Sequence, residues 1–221
     1  MNMRRMVVLN IITLIILVGA GFGGFYFINQ ASNYVKTDNA KIDGQQIAIS
    51  APATGKLVDW KGFSNHSFAK NGSLGKVQVA APTPQDPTNT TKVDIKAPTN
   101  LTVVANKAIA NNLVAAGTPL AYAYDFKHLW VTANIKETAI QDIKEGQEVD
   151  IYVDAYENAT LKGTVDEIGL TSASVFSLLP TGNSDANYTK VTQVVPVKIS
   201  IDDAEGYDIL PGMNVSVRIH K

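Results

Sequence analysis

An internal duplication constrains this chain more than any other feature of its sequence. The segment "IAISAPATGKLVDW" (residues 47–60) and the segment "VDIKAPTNLTVVAN" (residues 93–106) repeat one pattern of apolar and turn-forming residues. Two segments with one pattern are expected to fold into related structures. The copies align at a constant offset of 46 positions, as four pairs show: Ile49 with Ile95, Pro52 with Pro98, Val58 with Val104, and Leu74 with Leu120.

Each copy is predicted to form a few short strands. Apolar and polar residues alternate, Gly and Asn mark the turns, and helical periodicity is absent. A segment of roughly 30 residues cannot bury its apolar face alone, so the copies are expected to close on one another as a small β-sandwich. The turn glycines Gly72 and Gly117 are 45 positions apart, which predicts a one-residue difference between the copies at this turn.

A short polar segment, "APTPQDPTNTTK" (residues 81–92), separates the two copies. It contains three prolines and has no large apolar side chain. Proline disrupts helix interiors, and helices this short are not stable in isolation. The segment is therefore predicted to be a surface turn.

The N-terminal run "MVVLNIITLIILVGAGFGGFYFI" (Met6–Ile28) carries no charge. Its 23 residues would form about 34 Å of helix, enough to cross a hydrocarbon core of about 30 Å. Arg4 and Arg5 precede the run and the next basic residue is Lys36, so the positive-inside rule places the N-terminus in the cytoplasm and residues 29–221 outside. A single-pass anchor in the cytoplasmic membrane is predicted, and a cleaved signal peptide is the alternative.

The C-terminal half alternates clearly between apolar and polar residues. Four segments show it: "LWVTANI", "VDIYVD", "VPVKISI" and "VSVRIH". Each is predicted to be a strand with one buried face. Between the first two, "KETAIQDIKEGQ" predicts a short helix that stops at Gly146. Several short strands separated by glycine turns indicate a small antiparallel β-barrel.

Composition argues against several classes of function. The net charge is −1 and the 19 Lys and Arg residues are scattered, so no basic patch for nucleic acid is expected. The absence of cysteine excludes disulfides, thiolate metal sites and a cysteine nucleophile. His66, His128 and His220 are far apart and have no second ligand at metal-binding spacing, so we interpret them as surface residues. No catalytic, cofactor-binding or metal site is predicted.

Two features are candidates for contact with a partner protein. The segment from Thr171 to Lys190 lacks regular patterning, and long loops are often functional. Trp130 alternates out of phase with its apolar neighbours, and we interpret it and Trp60 as packing residues in a core or between domains rather than as ligand platforms. The candidate contact residues are Trp130, Val175, Phe176, Leu178 and Leu179.

The duplicated halves resemble the biotinyl/lipoyl-like domain, whose halves carry an "AP-x-x-G-x-V" strand. "APATGKLV" matches this motif, whereas "APTNLTVV" has Leu101 where the second half usually has Gly. Asn100 is predicted to supply a left-handed conformation there, because Asn tolerates positive φ. Lys92 lies between Thr and Val, which matches neither flanking signature of a modified carrier lysine, so a swinging-arm carrier is not expected.

A broader resemblance covers nearly all of residues 34–221. "YVKTDNAKIDGQQIAISAPATG", "LWVTANIKETAIQDIKEGQEVDIYVDAY" and "LPGMNVSVRI" are similar to the EmrA-like multidrug-efflux branch of the haemolysin-D (HlyD) family of membrane fusion proteins. In that family a long helical hairpin extends the tip between the halves, and here it is missing. The resemblance implies a non-catalytic adaptor that assembles, as a homo-oligomer, with a multi-pass transporter of the major facilitator or ABC type.

The resulting fold class is mainly β. The expected parts are a cytoplasmic N-terminus and transmembrane helix (1–30), a connector strand (31–46), a lipoyl-like barrel-sandwich hybrid domain (47–126, tip 82–92) and a small antiparallel β-barrel domain (127–221). An envelope-anchored scaffold or sensor that uses the same β domains without a transport role is the alternative function, and a cleaved, secreted binding module is the third.

Overall fold

A computed structural model describes residues 3–82, 88–156, 160–171, 192–204 and 206–221. The chain is mainly β, as predicted. Within these residues, a helix, α1 (Met3–Asn33), is followed by twelve strands and one 3-10 helix (Glu137–Asp142). The strands are β1 (Tyr34–Ser50), β2 (Gly55–Val58), β3 (Ser67–Phe68), β4 (Ser73–Ala80), β5 (Thr90–Lys96), β6 (Leu101–Asn106), β7 (Leu113–Val114), β8 (Pro119–Lys136), β9 (Glu148–Val153), β10 (Thr160–Ile168), β11 (Val194–Asp203) and β12 (Asn214–His220).

Helix α1 covers the N-terminal apolar run. Its described apolar side chains, such as Ile15, Leu17 and Phe22, are exposed. Across the residues that the structure describes in full, no helix has both the length and the apolarity needed to cross a membrane.

The chain divides into two compact units, and the first comprises Met1–Lys41 and Val131–Lys221. Here six strands form a closed barrel in the order β1-β12-β9-β10-β11-β8, with β8 returning to β1. Antiparallel register alternates apolar side chains into the barrel, where Ile151, Ile199 and Val217 are almost completely buried. The predicted antiparallel barrel is confirmed. The predicted short helix is the 3-10 helix, and Gly146 follows it with φ of 86°.

The second unit, Ile42–Trp130, contains both copies of the duplicated pattern. One sheet has the order β5-β4-β2-β7. In the other sheet, β1 pairs with β8, β8 with β6, and β6 with β3. The prediction that the two copies pack together is confirmed. They share one apolar core, which includes Ile49, Leu57, Leu74 and Val77 from the first copy and Ile95, Leu101, Val103 and Leu120 from the second.

The backbone hydrogen bonds between the copies follow a pseudo-two-fold symmetry. Ala51 N donates to Thr118 O (3.0 Å), and the equivalent Ala97 N donates to Gly72 O (2.9 Å). A second pair of bonds crosses between the copies in the same way: Leu57 N donates to Asn112 O, and Val103 N donates to His66 O. Within the copies the symmetry also holds, because Lys61 N donates to Leu74 O as Lys107 N donates to Leu120 O. Each half therefore supplies the hydrogen-bond partners that the other half lacks.

Trp60 and Asn106 mark the symmetry axis. They occupy equivalent positions 46 residues apart, and the Trp60 Nε1 donates to Asn106 Oδ1 at 3.1 Å. Two equivalent positions can bond to each other only where they face one another across the axis. Trp60 is buried in the shared core, so the interpretation of Trp60 as a packing residue is confirmed.

The symmetry corrects the predicted difference at the turns. Asn71 (φ 67°) and Gly117 (φ 80°) are the left-handed residues of the equivalent turns, and they are 46 positions apart. Asn65 (φ 65°) and Asn111 (φ 70°) form a second equivalent pair. The predicted one-residue difference is therefore wrong, because Asn71 and not Gly72 is the residue equivalent to Gly117.

The prediction for Asn100 is also wrong, since its φ is not positive. Its side chain has a different role: Asn100 Oδ1 accepts from Lys70 N (2.9 Å), as the equivalent Thr54 Oγ1 accepts from Ala116 N (3.0 Å). Gly55 is needed for space rather than for φ, because a Cβ there would lie 2.3 Å from the backbone O of Gln78.

Strands β4 and β5 remain paired up to the tip between the copies. Ala80 is opposite Thr90, and Ala81 N donates to Asn89 O at 2.9 Å. This pairing leaves residues 82–88 alone to connect the strands, and 83–87 lie outside the described residues.

The left-handed turn at Asn71 gives a stability prediction. Asn71→Ala should lower the free energy of unfolding by about 1 kcal/mol, because a Cβ without a compensating polar side chain is strained in this region. Asn71→Gly should match the wild type, since Gly117 is the equivalent residue. Asn112→Ala, at an exposed residue with ordinary φ, is the matched control. Urea unfolding of the full chain, followed by tryptophan fluorescence, measures all three, and equal stability of the Ala and Gly variants at 71 would contradict the assignment.

Candidate functional site

Asp150 on β9 is the centre of a polar cluster on the outer face of the barrel. Among the charged residues that the structure describes, Asp150 is the buried one, with 8% of its surface exposed. Lys162 Nζ lies 2.5 Å from its Oδ1, and His220 Nε2 lies 3.1 Å from its Oδ2. A carboxylate only accepts hydrogen bonds, so the Nε2 of His220 carries the proton in this contact. Both carboxylate oxygens are therefore occupied.

The pKa of Asp150 reflects this environment. Burial raises the pKa, but the hydrogen bonds donated by Lys162 and His220, together with charge attraction, outweigh burial and hold the pKa below its usual range. The same carboxylate raises the pKa of Lys162. Both groups are charged near neutral pH, and the cluster stabilises the contact between β9, β10 and β12.

Arg218 on β12 lies between two aromatic rings. Its guanidinium carbon is 5.3 Å from the centre of the Tyr34 ring and 5.5 Å from that of Tyr152, which are cation–π distances. Asp150 is the register partner of Arg218 on β9, yet its oxygens bond to other residues. Within the described residues, the buried Nε of Arg218 has no hydrogen-bond partner.

A groove of about 480 Å³ opens beside Arg218. Its charged lining comprises Lys36, Lys136, Arg218 and one carboxylate, Asp38. Lys36 on β1 is the register partner of Arg218 on β12, and the β1–β12 register shifts between Thr37 and Ala40. The groove is thus electropositive. Sequence reasoning missed it, because the three cations are distant along the chain.

The candidate contact residues from the sequence have different outcomes. Trp130 is partly exposed near the end of the second unit. Val175, Phe176, Leu178 and Leu179 lie outside the described residues. In the second unit, Phe63 and Ile109 occupy equivalent turns and are 49% and 68% exposed, a feature that alternation along strands could not reveal.

The three histidines are exposed or partly exposed. His66 is exposed, and the His128 side chain is 80% exposed beside Asp125. His220 is partly exposed, and its ring bonds to Asp150 and lies edge-on to Tyr34 at 4.9 Å between centres. Within the described part of the chain, no group of three or more His, Cys, Asp or Glu side chains is placed to hold a metal ion.

The Asp150 cluster gives a pH-dependent prediction. Asp150→Asn should lower the free energy of unfolding at pH 7 by about 1 to 2 kcal/mol, because two charge-assisted hydrogen bonds are weakened at a partly exposed site. The depressed pKa means that the stabilisation is present above the unfolded value, about 3.9, and is lost as pH falls through the folded value. The difference in the free energy of unfolding between Asp150→Asn and the wild type should therefore shrink as the pH falls.

Urea unfolding of the full chain between pH 7 and about pH 3 tests this prediction. Asp166→Asn is the matched control, because Asp166 pairs with Lys198 at 2.9 Å but is half exposed, and should change stability by less than about 1 kcal/mol. A difference between Asp150→Asn and wild type that is constant with pH would rule out the ion cluster as its cause.

Comparisons with known proteins agree with the two-unit architecture. Residues 129–219 match the YknX-like beta-barrel domain. The chain is 43% identical over 219 residues to the "Putative efflux system component YhbJ" of Bacillus subtilis (strain 168), covering 99% of this chain and 94% of that protein. It is 36% identical over 115 residues to the "Probable multidrug resistance protein EmrK" of Escherichia coli (strain K12), covering 52% of this chain and 30% of EmrK.

Solved structures show the same fold. The periplasmic adaptor protein EmrA aligns with 86% of this chain and 99% of its own, with a TM-score of 0.54 and 11% identity. The similarity to YhbJ extends over nearly the full length of both proteins and includes both units. This chain belongs to the HlyD family of membrane fusion proteins, in its EmrA-like multidrug-efflux branch.

Proposed function

We propose that this chain is the non-catalytic adaptor subunit of an efflux transporter in the cytoplasmic membrane. The observation that carries the proposal is the similarity to an efflux system component over 99% of the chain, which includes the barrel and the paired halves alike.

Helix α1 is proposed to be the membrane anchor. The supporting evidence is the uncharged run Met6–Ile28 within a 31-residue helix, together with the exposed apolar side chains at its centre. Arg4 and Arg5 then favour a cytoplasmic N-terminus, with residues 29–221 outside.

The paired halves are proposed to be a lipoyl-like domain with a minimal tip. Pairing of β4 with β5 up to Ala80 and Thr90 leaves no room for a helical hairpin between them. An adaptor of this form suits a transporter whose substrate is released without a contact to an outer-membrane channel.

The proposed partner is a multi-pass transporter of the major facilitator or ABC type, around which the adaptor assembles as a homo-oligomer. The candidate contacts are Trp130 and the apolar residues Val175, Phe176, Leu178 and Leu179. Aromatic residues are enriched in protein interfaces.

Cysteine labelling tests the anchor. Because the chain has no cysteine, a single introduced one is the sole target for a maleimide. In intact cells, a membrane-impermeant maleimide should label Lys144→Cys, whereas Asn2→Cys should react only after permeabilisation. Labelling of both sites in intact cells, or recovery of a shortened Lys144→Cys chain from the medium, would contradict the anchored topology.

Affinity purification tests the partner. A tag after Lys221 should recover one multi-pass transporter from solubilised membranes, and Phe176→Ser should reduce its yield severalfold, since a large apolar contact is removed. Ser177→Ala is the matched control in the same segment. If the yield of transporter and the export activity were unchanged in a folded Phe176→Ser protein, this segment would not be the contact.

A further inference from the structure

We propose that the electropositive groove of the barrel binds the phosphate group of an anionic lipid headgroup. The groove is the one lined by Lys36, Lys136 and Arg218. The inference rests on the proposed function in one respect, the membrane anchoring of α1, and it adds a ligand that anchoring alone does not require.

The first argument is the placement of charge. Lys36 and Arg218 are directly opposite on neighbouring antiparallel strands, and like charges in this position destabilise a sheet. The carboxylate that could offset them, Asp150, is bonded to Lys162 and His220. Among the described residues, no ion pair is found for Lys36, Lys136 or Arg218. An anionic ligand would relieve the repulsion.

The second argument is the form of the site. The cations surround a concave space of about 480 Å³, which is large enough for a phosphate and the glycerol next to it. The rings of Tyr34 and Tyr152 hold the Arg218 guanidinium between them, so the cation is positioned before a ligand arrives. Arginine held in this way is suited to bind phosphate oxygens in a bidentate manner.

The third argument is distance from the bilayer. Helix α1 ends at Asn33 and Lys36 is three residues further along β1, which is at most about 10 Å of extended strand. Lys221 N also donates to Asn33 O at 3.0 Å, so the end of β12 lies beside the end of the helix. If α1 spans the membrane, the groove lies within about one Debye length of the headgroups, where each cation contributes to attraction.

Native mass spectrometry of the full chain in detergent provides the test. The protein is titrated separately with phosphatidylglycerol, with zwitterionic phosphatidylcholine and with soluble glycerol 3-phosphate. Phosphatidylglycerol should bind more tightly than the other two. The double variant Lys36→Gln/Lys136→Gln should weaken its binding by about fivefold for each lysine, and Asp38→Asn should strengthen it by about the same factor, because the opposing carboxylate of the groove is removed.

The matched control is Lys127→Gln/Lys144→Gln, which removes two exposed lysines outside the groove. Equal weakening in the control and in the groove variant, or equal binding of phosphatidylcholine, would overturn the proposal. Binding of glycerol 3-phosphate as tight as that of the lipid would replace the lipid with a soluble phosphate ester as the ligand.

Flotation with phosphatidylcholine vesicles separates this proposal from the anchor. If the chain floats but shows no preference for phosphatidylglycerol in the titration, the anchor proposal stands and the groove proposal is overturned. If the chain does not float, the anchor proposal is overturned, and any remaining preference for phosphatidylglycerol is due to the groove alone.

Discussion

The mutual burial of two incomplete halves is the constraint on which the second unit depends. Leu57, Leu74, Leu101 and Leu120 all have almost no exposure, and all four belong to the core that the two halves share. The backbone groups show the same dependence, because Ala51 and Ala97 each donate to a carbonyl of the opposite half. A buried amide without a partner costs roughly 1 to 3 kcal/mol. Each half therefore supplies both apolar cover and hydrogen bonds, and neither is stable alone.

The barrel satisfies the backbone groups of its strands in a different way. Its six strands close on themselves, which removes the unpaired edges that an open sheet would expose. Closure places Lys36, Arg218 and Asp150 in one cross-strand row on the outside. Lys162 continues this row on β10, and the carboxylate of Asp150 is bonded to Lys162 and His220. Because Asp150 bonds to Lys162 and His220, its carboxylate does not pair with Arg218 or Lys36. The outer surface of β1 and β12 is therefore electropositive.

Features that depend on the local pattern of apolar and polar residues could be predicted from the sequence. Contacts that depend on which residues lie opposite one another on paired strands could not. The offset of 46 and the alternation of "VDIYVD" determine which side chains are buried. Glycine is the usual signal of such a turn and marks it at Gly72, yet Asn71 is the residue with positive φ. Asp150 gives no local signal of its environment. Its burial results from Lys162 and His220 on neighbouring strands, and only the strand pairing brings them together.

The short tip is compatible with the symmetric packing of the two halves. Residues 81–92 are the covalent link between the two copies, and the halves are also joined by hydrogen bonds outside this link, at positions such as Ala51, Leu57, Ala97 and Val103. A change in the length of this link therefore leaves the shared core and its hydrogen bonds intact, and the entropic cost of a longer link rises only slowly with length. The tip can thus be long or short on one scaffold.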